Sequence, residues 1–315
     1  MAIDLTDPVF TDETKAREHL EAIRWPDGPV CTHCGSMDKV YRLAGKSHRP
    51  GLFHCNNCDG AFTVTTGSVM ESSHVPLNKW VLAFRLMASS KKGMSAHQLH
   101  RSIKVTYKTA WFMFHRIREA MRPASVSPKG SGGKVVEADE TYVGGREQNK
   151  HRSKRTYPYA YGGIGKEAVV SLVERDGSVT SHHVPAVNAE NVGAILEAQL
   201  HDDAVLYTDD SKIYRSVKPR LRPKGTVSHS TREYVRGDVH TNTIEGYFSI
   251  LKRGITGTYH HVSAQHLKRY LAEFDFRYNE RMALGVDDSE RATRVIKAAA
   301  GKRLTYRQPR SAQSA

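Results

Sequence analysis

Val135-Val136-Glu137-Ala138-Asp139-Glu140-Thr141-Tyr142, a short apolar run that delivers an acidic pair and then breaks at Gly144-Gly145, decides how the chain is read. Short runs of β-branched and apolar residues bounded by Gly or polar clusters read as buried strands, and at strand ends a sheet exposes side chains to a cleft. Val205-Leu206-Tyr207-Thr208-Asp209-Asp210 has the same grammar, and Asn242-Thr243-Ile244-Glu245 opens a strongly patterned helix. Hard divalent cations take oxygen ligands, and Mg²⁺ binds through one or two carboxylates plus phosphate and water. Asp139 reads as the first of three metal-holding carboxylates, with Asp209 and Glu245 as the others.

Each acid also has a plainer reading. Asp139 or Glu140 can be a solvated strand terminus, and Asp209-Asp210 can be turn formers leading into Ser211. With Asn242 as N-cap, Glu245 falls at the third helical position, the capping-box place for Glu. No single acid decides the matter. The helix adds geometry: Glu245 and Lys252, seven apart, share nearly one face, while Ile244, Phe248, Leu251 and Ile255 form an apolar stripe. There the carboxylate would hold metal and Lys252 would meet a phosphate as a point charge.

Around these stretches, Ala168 to Glu174 and Ser178 to Val184 form a hairpin turning at Asp176-Gly177. Asn188 to Leu200 reads as a helix with Val192, Ile195, Leu196 and Gln199 on one side. Ala204 to Thr208 is a strand, Gly225 to His229 another, and Leu267, Leu271, Phe274 and Tyr278 mark a second amphipathic helix. The result is a mixed α/β layer, residues 134–285, with acids brought to one edge. Arg146 to Tyr157 is a cationic loop beside the Asp139 strand end, where Lys154 and Arg155 can hold DNA phosphates. Residues 123–133, rich in Pro, Ser and Gly, read as a linker.

The chain's four cysteines fall in two pairs, Cys31-Thr32-His33-Cys34 and Cys55-Asn56-Asn57-Cys58. This is the spacing of a structural zinc site closed by four thiolates. Gly35 and Gly60 follow where backbone must turn around a metal, and His33, His48 and His54 are alternative ligands. Residues 1–70 form this zinc ribbon with its N-terminal extension. Residues 76–122 read as helical: Trp80, Phe84 and Met87 recur along the first helix, a second starts near Ser95, and the third runs from Tyr107 to Met121. Helix, short break and basic helix is the pattern of a helix-turn-helix DNA reader. Lys104, Lys108 and Arg116 are its expected DNA contacts, with Arg118 and Arg122 nearby.

Bulk properties agree. The 315 residues are 39% hydrophobic and 25% charged, enough for two domains with cores, and the formal charge of +14 points to a polyanionic partner such as nucleic acid. No apolar run is long enough to span a membrane and the first residues lack a signal peptide's pattern, so a cytoplasmic, nucleoid-associated location is expected. Residues 286–315 read as a basic tail, disordered from Gly301 on.

Arg24-Trp25-Pro26-Asp27-Gly28, the two cysteine pairs, Asp139-Glu140-Thr141-Tyr142-Val143-Gly144-Gly145, Thr208-Asp209 and His240-Thr241-Asn242-Thr243-Ile244-Glu245-Gly246 occur in this order. Together they resemble bacterial insertion-sequence transposases with an N-terminal zinc ribbon and a ribonuclease H-like DDE core, over nearly the whole chain. The resemblance implies a catalytic triad of Asp139, Asp209 and Glu245, with Lys252 as the basic residue beyond it. Some members carry Asn in place of the last acid, so Asn242 contests Glu245, and Glu140 and Asp210 contest their neighbours. It further implies hydrolysis at element ends and joining of the 3′-hydroxyl to target DNA by a two-metal (Mg²⁺ or Mn²⁺) mechanism, by a homodimer or higher homo-oligomer on DNA. Two rivals remain: an inert DNA-binding regulator, and a stand-alone nuclease of the same fold that cuts without joining.

Overall fold

A computed structural model describes residues 4–145, 147–155, 163–228 and 231–305. The chain divides into two compact units, residues 1–122 with 286–315, and residues 123–285.

The first unit opens with α1 (Glu13–Arg24), whose N-terminus is capped by the Asp12 side chain accepting from Lys15 N. An antiparallel sheet follows, β1 (Val40–Arg42), β2 (Phe53–Cys55) and β3 (Gly60–Phe62). So small a sheet cannot bury much, and its core is an aromatic knot. Trp25 meets Phe53 and Phe62 edge-on, centroids 5.4 and 5.7 Å away, and the two phenylalanines stack at 5.6 Å. Such pairs contribute about 0.5–1.5 kcal/mol each beyond area burial. Three helices come next: α2 (Leu77–Ser89), α3 (Ala96–Ile103) and α4 (Tyr107–Met121). Ser95 caps α3 through Gln98 N, and Thr106 caps α4 through Thr109 N. Trp80, Phe84, Met87, Leu99, Ala110, Phe114, Ile117 and Met121 are buried, as the helical spacing predicts.

The second unit is a five-stranded sheet with helices on both faces. Its elements are β4 (Val135–Val143), β5 (Glu167–Glu174), β6 (Val179–Val184), α5 (Ala189–Gln199), β7 (Val205–Asp209), α6 (Lys212–Arg215), β8 (Gly225–Val227), the hairpin β9 (Val235–Arg236) and β10 (Val239–His240), α7 (Asn242–Gly254) and α8 (Ala264–Asn279). The strand order is β6-β5-β4-β7-β8, antiparallel through the β6-β5-β4 meander and parallel from β4 to β7 to β8. This is the ribonuclease H-like arrangement, a mixed sheet flanked by helices.

Alternation of side chains sorts the two faces. Val136 and Ala138 on β4 and Leu206 on β7 pack with Val192 and Leu196 of α5. Val143, Val169, Val173 and Val179 pack instead with Ile244, Phe248, Leu251 and Leu271 of α7 and α8. Odd-numbered positions of β4 and β7, Asp139 and Asp209 among them, therefore face the α7 side.

Three expectations change. Residues 123–133 are not a free linker throughout: Lys129 is buried, bridges to Leu200, donates its N–H to Gln199 O and accepts from His201 N. At Gly130 (φ +84°) a Cβ would lie 2.3 Å from that of Ala204, so the glycine in this Pro/Ser/Gly-rich stretch reflects close packing. The stretch from 286 is not all tail. Asp288–Lys297 forms α9 in the first unit, with Ala292, Val295 and Ile296 buried, Arg291 donating to Ala88 O and Val69 N donating to Ala299 O. Lys302 Nζ donates to Ala120 O, and Gly301 N to Gly67 O, so order continues beyond Gly301; residues 306–315 lie outside the described residues. Of the cationic loop, Arg146, Thr156 and Tyr157 lie outside them too, as does His229.

Candidate active site and zinc ribbon

The parallel pairing of β4 with β7 sets Val135 against Val205, Val136 against Leu206 and Glu137 against Tyr207. Continued two residues, this register puts Asp139 abreast of Asp209. β7 ends at Asp209 while β4 runs on to Val143, so a gap opens beside Asp139. A cleft of about 500 Å³ lies there, lined by Asp139, Glu140, Thr141, Glu245, Phe248, Ser249, Lys252 and Arg253.

Burial, together with the negative charges of Glu140, Asp209 and Glu245, pushes the Asp139 carboxyl up to about 8, although its Oδ1 accepts from Glu140 N at 2.8 Å. Burial also raises Glu140, but this side chain is on the opposite face and accepts from Tyr214 Oη at 3.1 Å. Asp210 is exposed and paired with Arg215, whereas Asp209 Oδ1 accepts from Ser211 N at 3.2 Å. The neighbours that compete with Asp139 and Asp209 thus have partners of their own: Glu140 borders the cleft but its carboxylate is held by Tyr214, and Asp210 pairs with Arg215.

On α7 the N-cap is Thr241, not Asn242, which is the first helical residue. Glu245 is therefore one position past the capping-box place. It is exposed, and its Oε1 accepts from Thr241 Oγ1 at 3.1 Å. Ser249, Lys252 and Arg253, four, seven and eight residues on, share its face; the 3.6-residue period that found Lys252 also points to Ser249 and Arg253. Arg253 Nη2 donates to Ser249 Oγ at 2.8 Å.

In the first unit the ligand atoms of Cys31, Cys34, Cys55 and Cys58 all lie within 4.8 Å of one another. Cys31 Sγ is 3.6 Å from Cys58 Sγ, and Cys34 Sγ 3.7 Å from Cys55 Sγ. Four thiolates at this spacing fit zinc. A Cβ on Gly60 would lie 2.8 Å from the His33 ring and 3.2 Å from Cys58 Sγ, which explains that glycine. His33, His48 and His54 do not belong to the cluster; His33 is near Ala61 O and His54 near Asp59. Among the described residues no other group of Cys, His, Asp or Glu closes this tightly, so the cleft acids are more widely spread.

Residues 131–279 match a family model described as an ISXO2-like transposase domain, and residues 11–60 match one described as a transposase zinc-ribbon domain. A Halobacterium salinarum protein named "uncharacterized protein in transposable element ISH50" is 30% identical over 284 residues, 85% of this chain and 91% of that protein. The chain belongs to the ISXO2-like transposase family. The cleft and its acids fall inside the matched transposase domain, and the cysteines inside the matched ribbon. As in a DNA-binding family, the chain is strongly basic, and among the described residues no helix is long and apolar enough to cross a membrane.

The basic residues expected on DNA separate into two groups. Lys104 is exposed at the C-cap of α3, Lys108 in the first turn of α4, and Lys154 in the turn Arg152–Lys154. Arg155 is half-buried and folds the loop by donating to Lys150 O and Gln148 O. Arg116 is corrected: it is buried, donates to Glu71 O at 3.1 Å and sits over the Phe112 ring. Basic residues on a helix look alike in sequence whether their stems cover core or their heads meet solvent.

Proposed function

We propose that the chain is a DNA transposase that cuts phosphodiester bonds at its element's ends and joins the freed 3′-hydroxyl to target DNA in the nucleoid. Asp139, Asp209 and Glu245 hold Mg²⁺ or Mn²⁺, and Lys252 holds a phosphate beside them. The supporting observation is the cleft, lined by Asp139 of β4 and by Glu245 and Lys252 of α7, while Asp209 ends the strand beside β4. Carboxylate oxygens are the donors a hard cation takes, and a cation would offset both the burial that chiefly lifts Asp139 to about 8 and the repulsion from Glu140, Asp209 and Glu245 that adds to it.

In the first step water attacks the phosphorus, its proton leaves to solvent, and the 3′-oxygen–phosphorus bond breaks to give a 3′-hydroxyl and a 5′-phosphate. In the second that hydroxyl attacks a target phosphodiester and a target 3′-oxygen departs. Divalent cations, when bound, polarise the phosphoryl oxygen and acidify the attacking hydroxyl or water. Lys252 and Arg253 hold the scissile strand by its phosphates, and no covalent protein intermediate is required. Lys104, Lys108, Lys154 and Arg155 add phosphate contacts, and pairing of two ends calls for a homodimer or higher homo-oligomer on DNA.

The test is strand transfer in vitro with Mg²⁺ or Mn²⁺, labelled DNA from the gene's own flanks and a plasmid target, beside Asp139→Asn. Joined product from the wild type alone supports the transposase. Specific binding without product marks an inert regulator, and cutting without joining marks a nuclease.

A further inference from the structure

Beneath the acids lies a second layer of contacts, one strand repeat back along the chain. Glu137 stands two residues before Asp139 on β4, Tyr207 two before Asp209 on β7, and the two are register partners. Residues two apart on a strand share a face, so both lie on the α7 side.

Glu137 is fully buried. Its Oε2 accepts from Thr243 N at 2.9 Å and Ile244 N at 3.0 Å; its Oε1 accepts from Thr243 Oγ1 at 2.9 Å and Arg175 Nε at 2.7 Å, with His240 Nδ1 at 3.3 Å. Ile244 immediately precedes Glu245. A helix N-terminus leaves N–H groups and a positive dipole end to be satisfied. No side-chain cap within α7 does so, since the Thr241 hydroxyl donates to Glu245 instead. A strand carboxylate 106 residues away along the chain takes that place.

Arg175 completes the layer. Its Nη2 donates to His240 O at 3.1 Å, just ahead of α7, and its guanidinium lies over the Tyr207 ring at 5.1 Å. Between them Glu137 and Arg175 touch each segment that carries one of the three acids. A buried ion pair is a poor source of stability, because desolvation offsets much of the attraction. Geometry is the better account of one placed here.

We propose that Glu137 and Arg175 are a positioning pair that sets the spacing of Asp139, Asp209 and Glu245 by fixing α7 against β4 and β7. The inference rests on those acids holding metal. A small displacement of α7 moves Glu245 relative to the strand acids, and an error of about 1 Å in such a site can cost roughly 100-fold in rate.

The experiment titrates the full-length protein with Mn²⁺, reading free Mn²⁺ by electron paramagnetic resonance, alongside thermal unfolding in chelator and metal-free affinity for flanking DNA. Glu137→Gln and Arg175→Gln are compared with Asp139→Asn. The expected result is a half-saturating Mn²⁺ concentration raised roughly 10- to 100-fold in both, with DNA affinity unchanged. Arg175→Lys, which keeps charge but loses the planar fork, falls between Arg175→Gln and wild type. If Glu137→Gln does not fold, the two Arg175 variants carry the test. Wild-type Mn²⁺ affinity in the folded positioning variants, even with a lowered Tm, overturns the proposal; impairment in Asp139→Asn then leaves the reading of the acids standing. Wild-type affinity in Asp139→Asn too overturns that reading, and this proposal with it.

Discussion

In the zinc ribbon four sulfur atoms lie within 4.8 Å of one another, whereas the acids of the ribonuclease H-like unit line an open cleft and close no such group. The ribbon draws its ligands from two tight turns on a small sheet, so local sequence does nearly all the positioning. The cleft draws Asp139 from a strand and Glu245 from a helix more than a hundred residues further on. A closed thiolate site organises a fold that has little core of its own, while an open carboxylate site needs a rigid scaffold beneath it. That contrast can be broken or sharpened at several points.

The largest effect belongs to the acids. Asp139→Asn, Asp209→Asn and Glu245→Gln each take strand transfer to background while DNA affinity is kept or slightly raised, in gel-based joining and binding assays. Wild-type joining by any one removes that residue from the triad. Next come the thiolates: Cys31→Ser or Cys55→Ser loses zinc and weakens end recognition, measured by metal analysis and DNA binding. Unchanged zinc in both would refute the four-cysteine site.

A smaller effect is electrostatic. Asp139 titrates near its ordinary 3.8 when unfolded and at about 8 when folded, so between those values the folded metal-free protein holds the extra proton. Its stability contribution is present at low pH and lost as pH rises toward and through about 8. Asp139→Asn should flatten this part of the Tm–pH profile in chelator, and an unchanged slope would assign it elsewhere. Smallest is the loop. Neutralising Lys154 and Arg155 together should weaken binding to all sequences alike and reduce the salt slope of log affinity by about 2 at most. A changed sequence preference would mean that the loop reads bases.

Legibility followed the same division. The strand end at Asp209, the hairpin at Asp176-Gly177, the cysteine pairs and the Glu245–Lys252 helical face all rest on short-range spacing and formed where the pattern put them. The strand expected to end at Asp139 instead continues to Val143, because its pairing with β5 carries it past the acidic pair. Glu137 lay within the first stretch read, yet its role depends on Thr243 and Ile244 across the fold, and nothing local marks a carboxylate as the cap of a distant helix. The same reason hid Arg116, whose charge is buried against Glu71 O and Phe112, and α9, whose Arg and Lys content masks a narrow stripe of Ala292, Val295 and Ile296. Tertiary contacts decided these positions.

The return of α9 to the first unit sets an order of events during translation. A ribosome releases the ribbon and the three helices after it first, then the entire ribonuclease H-like unit, and only afterwards the segment that covers α2. The first unit must wait unfinished while the second is made. A nascent or prematurely terminated chain can thus complete its catalytic fold and still lack the finished module expected to read DNA.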